Sequence, residues 1–250
     1  MALTLDRITL HMSKRRVLND VSVAFARGRV TVILGPNGAG KTSLLRVAAG
    51  LLTADAGAAA IDGTSLAGMD RRHRARAIGY LPQQGAVAWN MSARDVVALG
   101  RLPHASGPLA DAAAIDSALA ATDTAGFAAR PVGELSGGER ARVLLARVLA
   151  GDPDWLLADE PLASLDPAHQ LDLLDRLRGQ AAAGKGVIVV LHDLAQAARV
   201  ADDAVLMADG RIVASGAARD VLTPDALGEL FGVRLAMLPD HPIGIPIERR

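Results

Sequence analysis

The stretch Gly35-Pro36-Asn37-Gly38-Ala39-Gly40-Lys41-Thr42-Ser43 decides the fold, because its first eight residues follow the pattern G-x-x-x-x-G-K-[ST]. Residues 30–34 before it are apolar and mostly β-branched, which predicts a buried strand, and residues 42–52 after it have a helix-forming composition. The glycines allow backbone N–H groups to turn toward an anion, and a helix N-terminus adds partial positive charge. The stretch therefore predicts a phosphate-binding loop (P-loop) formed by residues 35–43.

Two side chains of this loop carry specific chemistry. Lys41 is expected to reach the β- and γ-phosphates of a nucleotide, and the Thr42 hydroxyl is placed to bind Mg²⁺. Lysine is rare in this chain, since only Lys14, Lys41 and Lys185 occur among 27 basic residues. Chance placement is therefore a poor explanation for a lysine at this position. The P-loop alone leaves a GTPase, a kinase, a helicase and a transporter motor open.

The composition limits the classes of protein that fit. The chain has 250 residues, a formal net charge of zero and no cysteine, so nothing in its charge favours nucleic acid, and disulfides and thiolate metal sites are excluded. Asp6 and Arg7 interrupt the apolar N-terminal stretch, and no window reaches 18 apolar residues. We expect a cytoplasmic protein with one domain and an added arm.

The order of predicted elements indicates an α/β fold. Alternating strands and helices predict a doubly wound sheet with its ligand at the carboxyl ends of the strands. We assign residues 1–84 and 152–250 to this α/β core, and residues 85–151 to an inserted helical subdomain. Asp209-Gly210 predicts a two-residue hairpin turn. The predicted strands are 3–10, 21–25, 30–34, 58–61, 78–81, 155–158, 186–191, 204–207 and 212–215; the predicted helices are 42–52, 71–76, 92–99, 109–121, 138–150, 168–183 and one ending at 200.

Two further motifs select among P-loop proteins. In Leu135-Ser136-Gly137-Gly138-Glu139 a serine and two glycines open a helix, which makes a second anion-binding helix end. Asp159 and Glu160 follow the apolar run 155–158, and a carboxylate pair at a strand end suits metal-assisted hydrolysis. We expect Asp159 to hold Mg²⁺ and Glu160 to polarise the attacking water.

Together these motifs resemble the nucleotide-binding subunit of ABC transporters, over residues 3 to 233. The resemblance implies a RecA-like P-loop NTPase core with an N-terminal antiparallel β layer and an inserted helical subdomain. It implies ATP and Mg²⁺ as the bound species. It also implies a head-to-tail dimer with a second copy, in which Ser136, Gly137 and Gly138 bind the γ-phosphate of ATP held by the other subunit.

The resemblance assigns further residues. His192 would contact the γ-phosphate and position Glu160, and Gln83 would approach Mg²⁺, with Gln84 as the competing assignment for Gln83. Asp166, in Ser164-Leu165-Asp166, would lie in a loop that crosses the dimer interface. Many family members stack adenine on an aromatic ring near residue 12, where this chain has His11-Met12-Ser13 and offers the polarizable Met12 instead.

Other segments bear on which proteins this chain would bind. The apolar stretch 85–91 contains Trp89 and Met91, which either receive a short helix of a permease or belong to the core of the arm. Gly100-Arg101-Leu102-Pro103-His104 and Ala168-His169-Gln170 resemble the ATPases of importers for iron-siderophore, haem and cobalamin. Such importers add two integral-membrane permease subunits and an external substrate-binding protein, which would place this chain at the cytoplasmic face of the inner membrane.

Some alternatives remain open at this point. His104 and His169 lack carboxylate or His neighbours at ligand spacing, so Mg²⁺ is the one metal we expect. A soluble ABC-type ATPase of iron-sulfur assembly would keep every catalytic motif, as would a transporter motor for another cargo. Permease genes beside this one would favour import, and assembly-scaffold genes would favour the soluble ATPase.

Overall fold

The computed structural model describes residues 1–83, 90–163, 165–236 and 245–249. The strands are β1 (Ala2–Met12), β2 (Arg15–Ala26), β3 (Val30–Leu34), β4 (Ala56–Ile61), β5 (Thr64–Ser65), β6 (Ile78–Leu81), β7 (Trp155–Asp159), β8 (Gly186–Val190), β9 (Asp203–Ala208), β10 (Arg211–Ala217), β11 (Val233–Ala236) and β12 (Ile245–Arg249). The helices are α1 (Lys41–Ala48), α2 (Arg71–Ala77), α3 (Ala93–Ala98), α4 (Pro108–Ala121), α5 (Gly137–Ala150), α6 (Pro167–Ala182), α7 (Leu194–Val200), α8 (Ala218–Val221) and α9 (Pro224–Phe231). Short 3-10 helices lie at Leu99–Arg101, Ala125–Phe127 and Val132–Glu134.

The chain divides into two units, Met1–Met69 with Asp175–Arg250, and Asp70–Leu174. In the first unit β3 lies between β8 and β9 and runs parallel to both. All five residues of β3 and of β8 are buried, as expected for parallel strands that are covered on both faces. Strand β10 extends this group by pairing antiparallel with β9 across Asp209 and Gly210, whose φ angles of 47° and 72° suit a tight hairpin turn.

The first unit also contains a separate antiparallel sheet, in the order β2-β1-β4-β5. Strand β1 buries Leu3, Leu5, Ile8 and Leu10, while most residues between them are more exposed. This near-alternation gives the sheet one apolar face. The sheet is the predicted N-terminal β layer.

In the second unit β6 and β7 are parallel, with Leu81 opposite Ala158. The stretch between them is helical where described, in α3, α4, α5 and the short 3-10 helices, as the composition predicts. Helix α2 exposes most of its basic side chains and is capped by Asp70, whose Oδ2 accepts hydrogen bonds from Arg72 N and His73 N at 3.0 Å. It corresponds to the helix that the sequence predicts at residues 71–76.

The predicted fold class is confirmed. The P-loop helix is shorter than predicted, since it ends at Ala48 before Gly50, which has a φ of 66°. Helix α9 and strands β11 and β12 are elements that the sequence analysis did not predict. The division of the chain at residues 85 and 151 stays a prediction. None of the helices in the described ranges has the length and apolar composition that crossing a membrane requires.

Candidate functional site

The P-loop lies in the first unit and connects β3 to α1. Two of its glycines are required because the backbone passes very close to neighbouring strands. A Cβ on Gly35 would lie 2.2 Å from the Met207 carbonyl oxygen, and one on Gly40, whose φ is 98°, would lie 2.8 Å from the Val17 carbonyl oxygen. No side chain fits such distances, so these contacts fix the loop against β9 and β2.

The start of α1 is suited to bind an anion. Helix α1 has Gly40 as its N-cap, with no side-chain cap and no acidic residue in its first turn. Lys41 is only 6% exposed, and its Nζ donates hydrogen bonds to the carbonyl oxygens of Gly35 at 2.7 Å and Pro36 at 3.0 Å. Backbone N–H groups, the helix dipole and a lysine ammonium thus combine at one place, with half-buried Thr42 and Ser43 in the same turn.

His192 reaches the same edge of the first unit's parallel strands. It lies two residues after β8, is exposed, and precedes α7, which Asp193 caps by accepting the Gln196 N–H at 2.9 Å. Strands β3 and β8 pair directly, with Ile33 opposite Val190. The P-loop and His192 therefore leave neighbouring parallel strands at their carboxyl ends, where α/β sheets bind ligands.

The second unit contains the predicted carboxylates. Asp159 is the last residue of β7 and is 1% exposed, and the Tyr80 hydroxyl donates a hydrogen bond to its Oδ2 at 3.2 Å. Glu160 has a φ of 49°, an uncommon value for a residue with a side chain, and its Oε2 accepts a hydrogen bond from Gln83 Nε2 at 2.5 Å. Gln83 thus contacts Glu160, while Gln84 is outside the described residues.

Tyr80 is a site residue that the sequence analysis missed. It is the one tyrosine in the chain and lies three residues before Gln83. Because β6 and β7 run parallel and pair directly, residues near their carboxyl ends meet. A prediction that these two strands pair could have indicated Tyr80, although its rotamer depends on packing.

The predicted second anion-binding helix end is also in the second unit, at the start of α5. Ser136 and Glu139 form a capping box, in which Ser136 Oγ accepts the Glu139 N–H at 3.2 Å and Glu139 Oε2 accepts the Ser136 N–H at 2.8 Å. The Ser136 N–H, helped by Arg130, holds the pKa of Glu139 below its usual value. The Ser136 hydroxyl accepts in this box and also lowers the pKa of Glu139 by a hydrogen bond to its carboxylate.

Comparison with known proteins agrees with this arrangement, since residues 18–163 match the ABC transporter family. The chain belongs to the ABC transporter family. The hemin import ATP-binding protein HmuV of Pseudomonas entomophila is 42% identical over 250 residues, covering 97% of this chain and 98% of that protein. The cobalamin import ATP-binding protein BtuD of Halobacterium salinarum is 41% identical over 247 residues, and the chain spans only 62% of that relative's length.

A solved structure gives the same result. A transporter assigned to the metal-chelate ABC type, in an inward-facing conformation, superposes with a TM-score of 0.83 at 25% identity, over 98% of this chain and 97% of that one. The fold of this ABC chain is therefore that of an ATP-binding cassette.

Asp166 of this ABC chain makes contacts within the chain. Its Oδ1 accepts the His169 N–H at 3.0 Å and its Oδ2 contacts His169 Nδ1 at 2.6 Å, so Asp166 caps α6. The backbone N–H and the imidazole of His169 lower the pKa of Asp166. Gln170 Nε2 donates to the carbonyl oxygens of Leu162 and Leu165. The motif Ala168-His169-Gln170 therefore holds the loop before α6, in which Ser164 lies outside the described residues.

The motif Gly100-Arg101-Leu102-Pro103-His104 holds the carboxyl end of α5. Arg101 Nη1 donates to the Ala150 carbonyl oxygen at 2.9 Å, and His104 Nε2 lies 3.0 Å from the Gly151 carbonyl oxygen. The last carbonyl groups of a helix lack partners within the helix, so these side chains act as a cap. Arg101 also pairs with Asp111 of α4 at 2.8 Å.

Gly100 makes the closest approach in this cap. A Cβ at residue 100 would lie 2.0 Å from the Arg147 carbonyl oxygen. We expect Gly100→Ala to lower the free energy of unfolding by roughly 1–3 kcal/mol, because helix α5 or the 3-10 turn must shift to make room. Urea unfolding followed by circular dichroism measures this change.

Gly179 supplies the matched control for Gly100. It lies in α6, and nothing would lie within 4 Å of its added Cβ. Gly179→Ala should therefore be neutral or stabilising by up to about 1 kcal/mol, as expected for a helix interior. Equal unfolding midpoints for the two variants would contradict the close contact at Gly100.

Proposed function

We propose that this chain is the ATP-hydrolysing subunit of an importer, with an iron-siderophore, haem or cobalamin complex as cargo. The observation that carries the proposal is the presence, in one chain, of a P-loop with a buried lysine, a capped second anion-binding helix end, and an Asp-Glu pair at a strand end. The names of the hemin and cobalamin import relatives support the cargo class. The chain would be peripheral, held at the cytoplasmic face of the inner membrane by permease subunits that work with an external substrate-binding protein.

We propose that three residues would bind Mg²⁺ when nucleotide is present, because the chemistry of their donor atoms suits this ion. The Thr42 hydroxyl and the Asp159 carboxylate are oxygen donors of the kind that Mg²⁺ prefers, and Gln83 offers an amide oxygen. The Tyr80 hydroxyl fixes the Asp159 carboxylate from the side, as residues behind a metal ligand commonly do. When bound, Mg²⁺ would offset the negative charge of the β- and γ-phosphates. Lys41 and the backbone N–H groups of residues 35–43 would hold the phosphates.

Glu160 is the proposed base for the attacking water. Its position directly after β7, at a φ of 49°, directs the chain sharply away from the buried Asp159. Gln83 donates a hydrogen bond to the Glu160 carboxylate, which helps to fix the position of this group. His192 would orient Glu160 and contact the γ-phosphate.

We expect Glu160→Gln to lower ATP turnover by about 10² or more, because a positioned base contributes typically 10²–10⁴ to such a reaction. ATP binding should be retained, since the P-loop is unchanged. Phosphate release and binding of a fluorescent ATP analogue measure the two properties.

Glu229→Gln is the matched control for this change, because Glu229 is an exposed glutamate in α9. It should hydrolyse ATP like the unmodified chain. Turnover of the Glu160→Gln chain at the control's rate would contradict the assigned base.

Two anion-binding helix ends in one chain support a shared site. One chain binding one ATP needs a single phosphate cradle, which α1 supplies. We propose that the α5 end of each chain binds the γ-phosphate of the ATP held by a second copy, in a head-to-tail dimer. Asp166 would lie near that interface.

A mixture of Lys41→Ala and Ser136→Arg chains tests the shared site. Each mixed dimer contains one site with both changes and one with neither, so we expect ATP-dependent dimers to form in the mixture. Neither variant should dimerise strongly alone, because every site then has a defect. Analytical ultracentrifugation with and without ATP measures the association.

If the mixed chains associate no more strongly in ATP than each variant does alone, the shared site is contradicted. Dimer formation is the chosen measurement because turnover can require two intact sites. It therefore separates assembly from hydrolysis.

We propose that a permease segment docks in a hollow of the second unit. The hollow has a volume of about 240 Å³, between β6, the end of α5 and the turn that contains Leu99 and Pro103. Leu99 is 37% exposed, which is high for a large apolar side chain beside such a hollow. The expectation that Trp89 and Met91 receive a permease helix stays a prediction, because Trp89 lies outside the described residues.

Arg147 gives the hollow a specific charge. Burial lowers the pKa of its guanidinium, and none of the described residues makes a hydrogen bond or ion pair to that group. A desolvated guanidinium favours a carboxylate partner. We therefore propose an amphipathic permease helix with an apolar side chain toward Leu99 and an acidic one toward Arg147.

Leu99→Asp should weaken co-purification with co-expressed membrane subunits at least tenfold, because it places a charge in the apolar part of the hollow. ATP binding and the unfolding midpoint of the isolated chain should change little, since Leu99 is partly exposed. Leu109→Asp is the matched control, at a residue of α4 that is 89% exposed. Equal co-purification of the two variants would contradict docking here.

A further inference from the structure

The start of α5 has a negative charge at the place where the proposed function requires an anion to bind. Glu139 lies in the first turn of α5, and its carboxylate accepts hydrogen bonds from the Ser136 N–H, at 2.8 Å, and from the Ser136 hydroxyl. It therefore competes with a phosphate for both of these donors. A carboxylate also repels a neighbouring anion and offsets the positive end of a helix. An uncompensated Glu139 would thus weaken phosphate binding at α5.

Arg130 supplies a positive charge in contact with this carboxylate. Arg130 Nη1 donates a hydrogen bond to Glu139 Oε1 at 3.0 Å, while Glu139 Oε2 accepts the Ser136 N–H. Arg130 Nη2 donates to the Glu134 carbonyl oxygen at 2.8 Å. One guanidinium therefore holds the backbone two residues before Ser136 and the side chain three residues after it.

The backbone of Arg130 is held by contacts that do not involve its guanidinium. Its N–H donates to the Phe127 carbonyl oxygen at 3.0 Å, and its carbonyl oxygen accepts the Ala93 N–H, at the start of α3, at 2.9 Å. The next residue, Pro131, forms a β-bridge with Ser92. Because these contacts fix the segment, a change of the Arg130 side chain should alter the α5 start without unfolding the unit.

We propose that Arg130 is a positioning residue of the shared site, which compensates the charge of Glu139 and holds Ser136 ready to bind the γ-phosphate of ATP on a second copy. The proposal rests on the proposed function, because it requires that shared site. Arg130 acts through Glu139 and Ser136 and does not contact the nucleotide. The competing role for Arg130 is a surface ion pair that only stabilises the fold. The two roles differ in whether the effect of Arg130 depends on the charge of Glu139.

The test measures the dissociation constant of the ATP-dependent dimer by analytical ultracentrifugation in the presence of Mg²⁺. Arg130→Gln should raise this constant roughly 4- to 25-fold, since one charge near a helix N-terminus changes anion binding by about 2- to 5-fold and a head-to-tail dimer contains two such ends. Arg130→Lys keeps the charge and should raise it less. Binding of a fluorescent ATP analogue to the single chain and the unfolding midpoint should change little in both variants.

Arg94→Gln is the matched control for Arg130→Gln. Arg94 lies in the same unit and pairs with Asp116 at 2.6 Å, and its side chain is 43% exposed, compared with 45% for Arg130. Its ion pair joins α3 to α4 and does not include the start of α5. Arg94→Gln should therefore leave the dissociation constant of the dimer unchanged.

Glu139→Gln separates the charge of Glu139 from its structural role. Glutamine can replace glutamate in a capping box, so the helix start should be kept. This variant should dimerise in ATP more strongly than the unmodified chain, because the carboxylate that offsets the helix end is gone. Arg130→Gln should then have a much smaller effect in the Glu139→Gln chain than in the unmodified chain, since no negative charge is left to compensate.

Three results would overturn the role of Arg130. They are an unchanged dimer in Arg130→Gln, an equal loss in Arg94→Gln, and an equal effect of Arg130→Gln with and without the Glu139 charge. Failure of the unmodified and the Glu139→Gln chains to dimerise in ATP would instead contradict the shared site itself, and this inference with it.

Discussion

Binding a polyphosphate through backbone N–H groups requires a chain segment that approaches its neighbours more closely than side chains permit. Gly35 and Gly40 meet this requirement, because their backbones lie against the carbonyl groups of Met207 and Val17. Strands β9 and β2 thereby hold the loop in place, and the buried strand β3 fixes the position of its first residue. The position of Lys41, the direction of α1 and the place of the nucleotide all depend on these two contacts.

Features that depend on a few neighbouring residues could be predicted from the sequence. Strand β3, the Asp209-Gly210 turn and the Ser136–Glu139 helix start are such cases, and the structure has all three. Helix α9 also had local signals, since the Thr223 hydroxyl caps its start and Gly232 ends it at a φ of 63°. The sequence therefore contained enough information to predict α9, but the signals at its two ends were not used.

Contacts between distant segments could not be predicted in this way. The bond from Tyr80 to Asp159 joins residues 79 positions apart, and Arg101 reaches the Ala150 carbonyl group across 49 positions. The motifs at residues 100–104 and 168–170 resembled a subfamily marker, and in the structure they hold the end of α5 and the loop before α6. Such motifs can distinguish a subfamily without contacting nucleotide or cargo.

The two anion-binding helix ends differ in a way that bears on their proposed roles. Helix α1 starts without a side-chain cap and with Lys41 in its first turn, so no acidic side chain there offsets the positive end of the helix. Helix α5 starts with a complete capping box, and its Glu139 carboxylate, paired with Arg130 at 3.0 Å, partly offsets the positive end of the helix. The α5 end therefore keeps its shape without nucleotide but attracts an anion more weakly. A strong cradle and a preformed weaker one suit a sequence in which ATP binds first to α1 and then recruits the α5 end of a second copy.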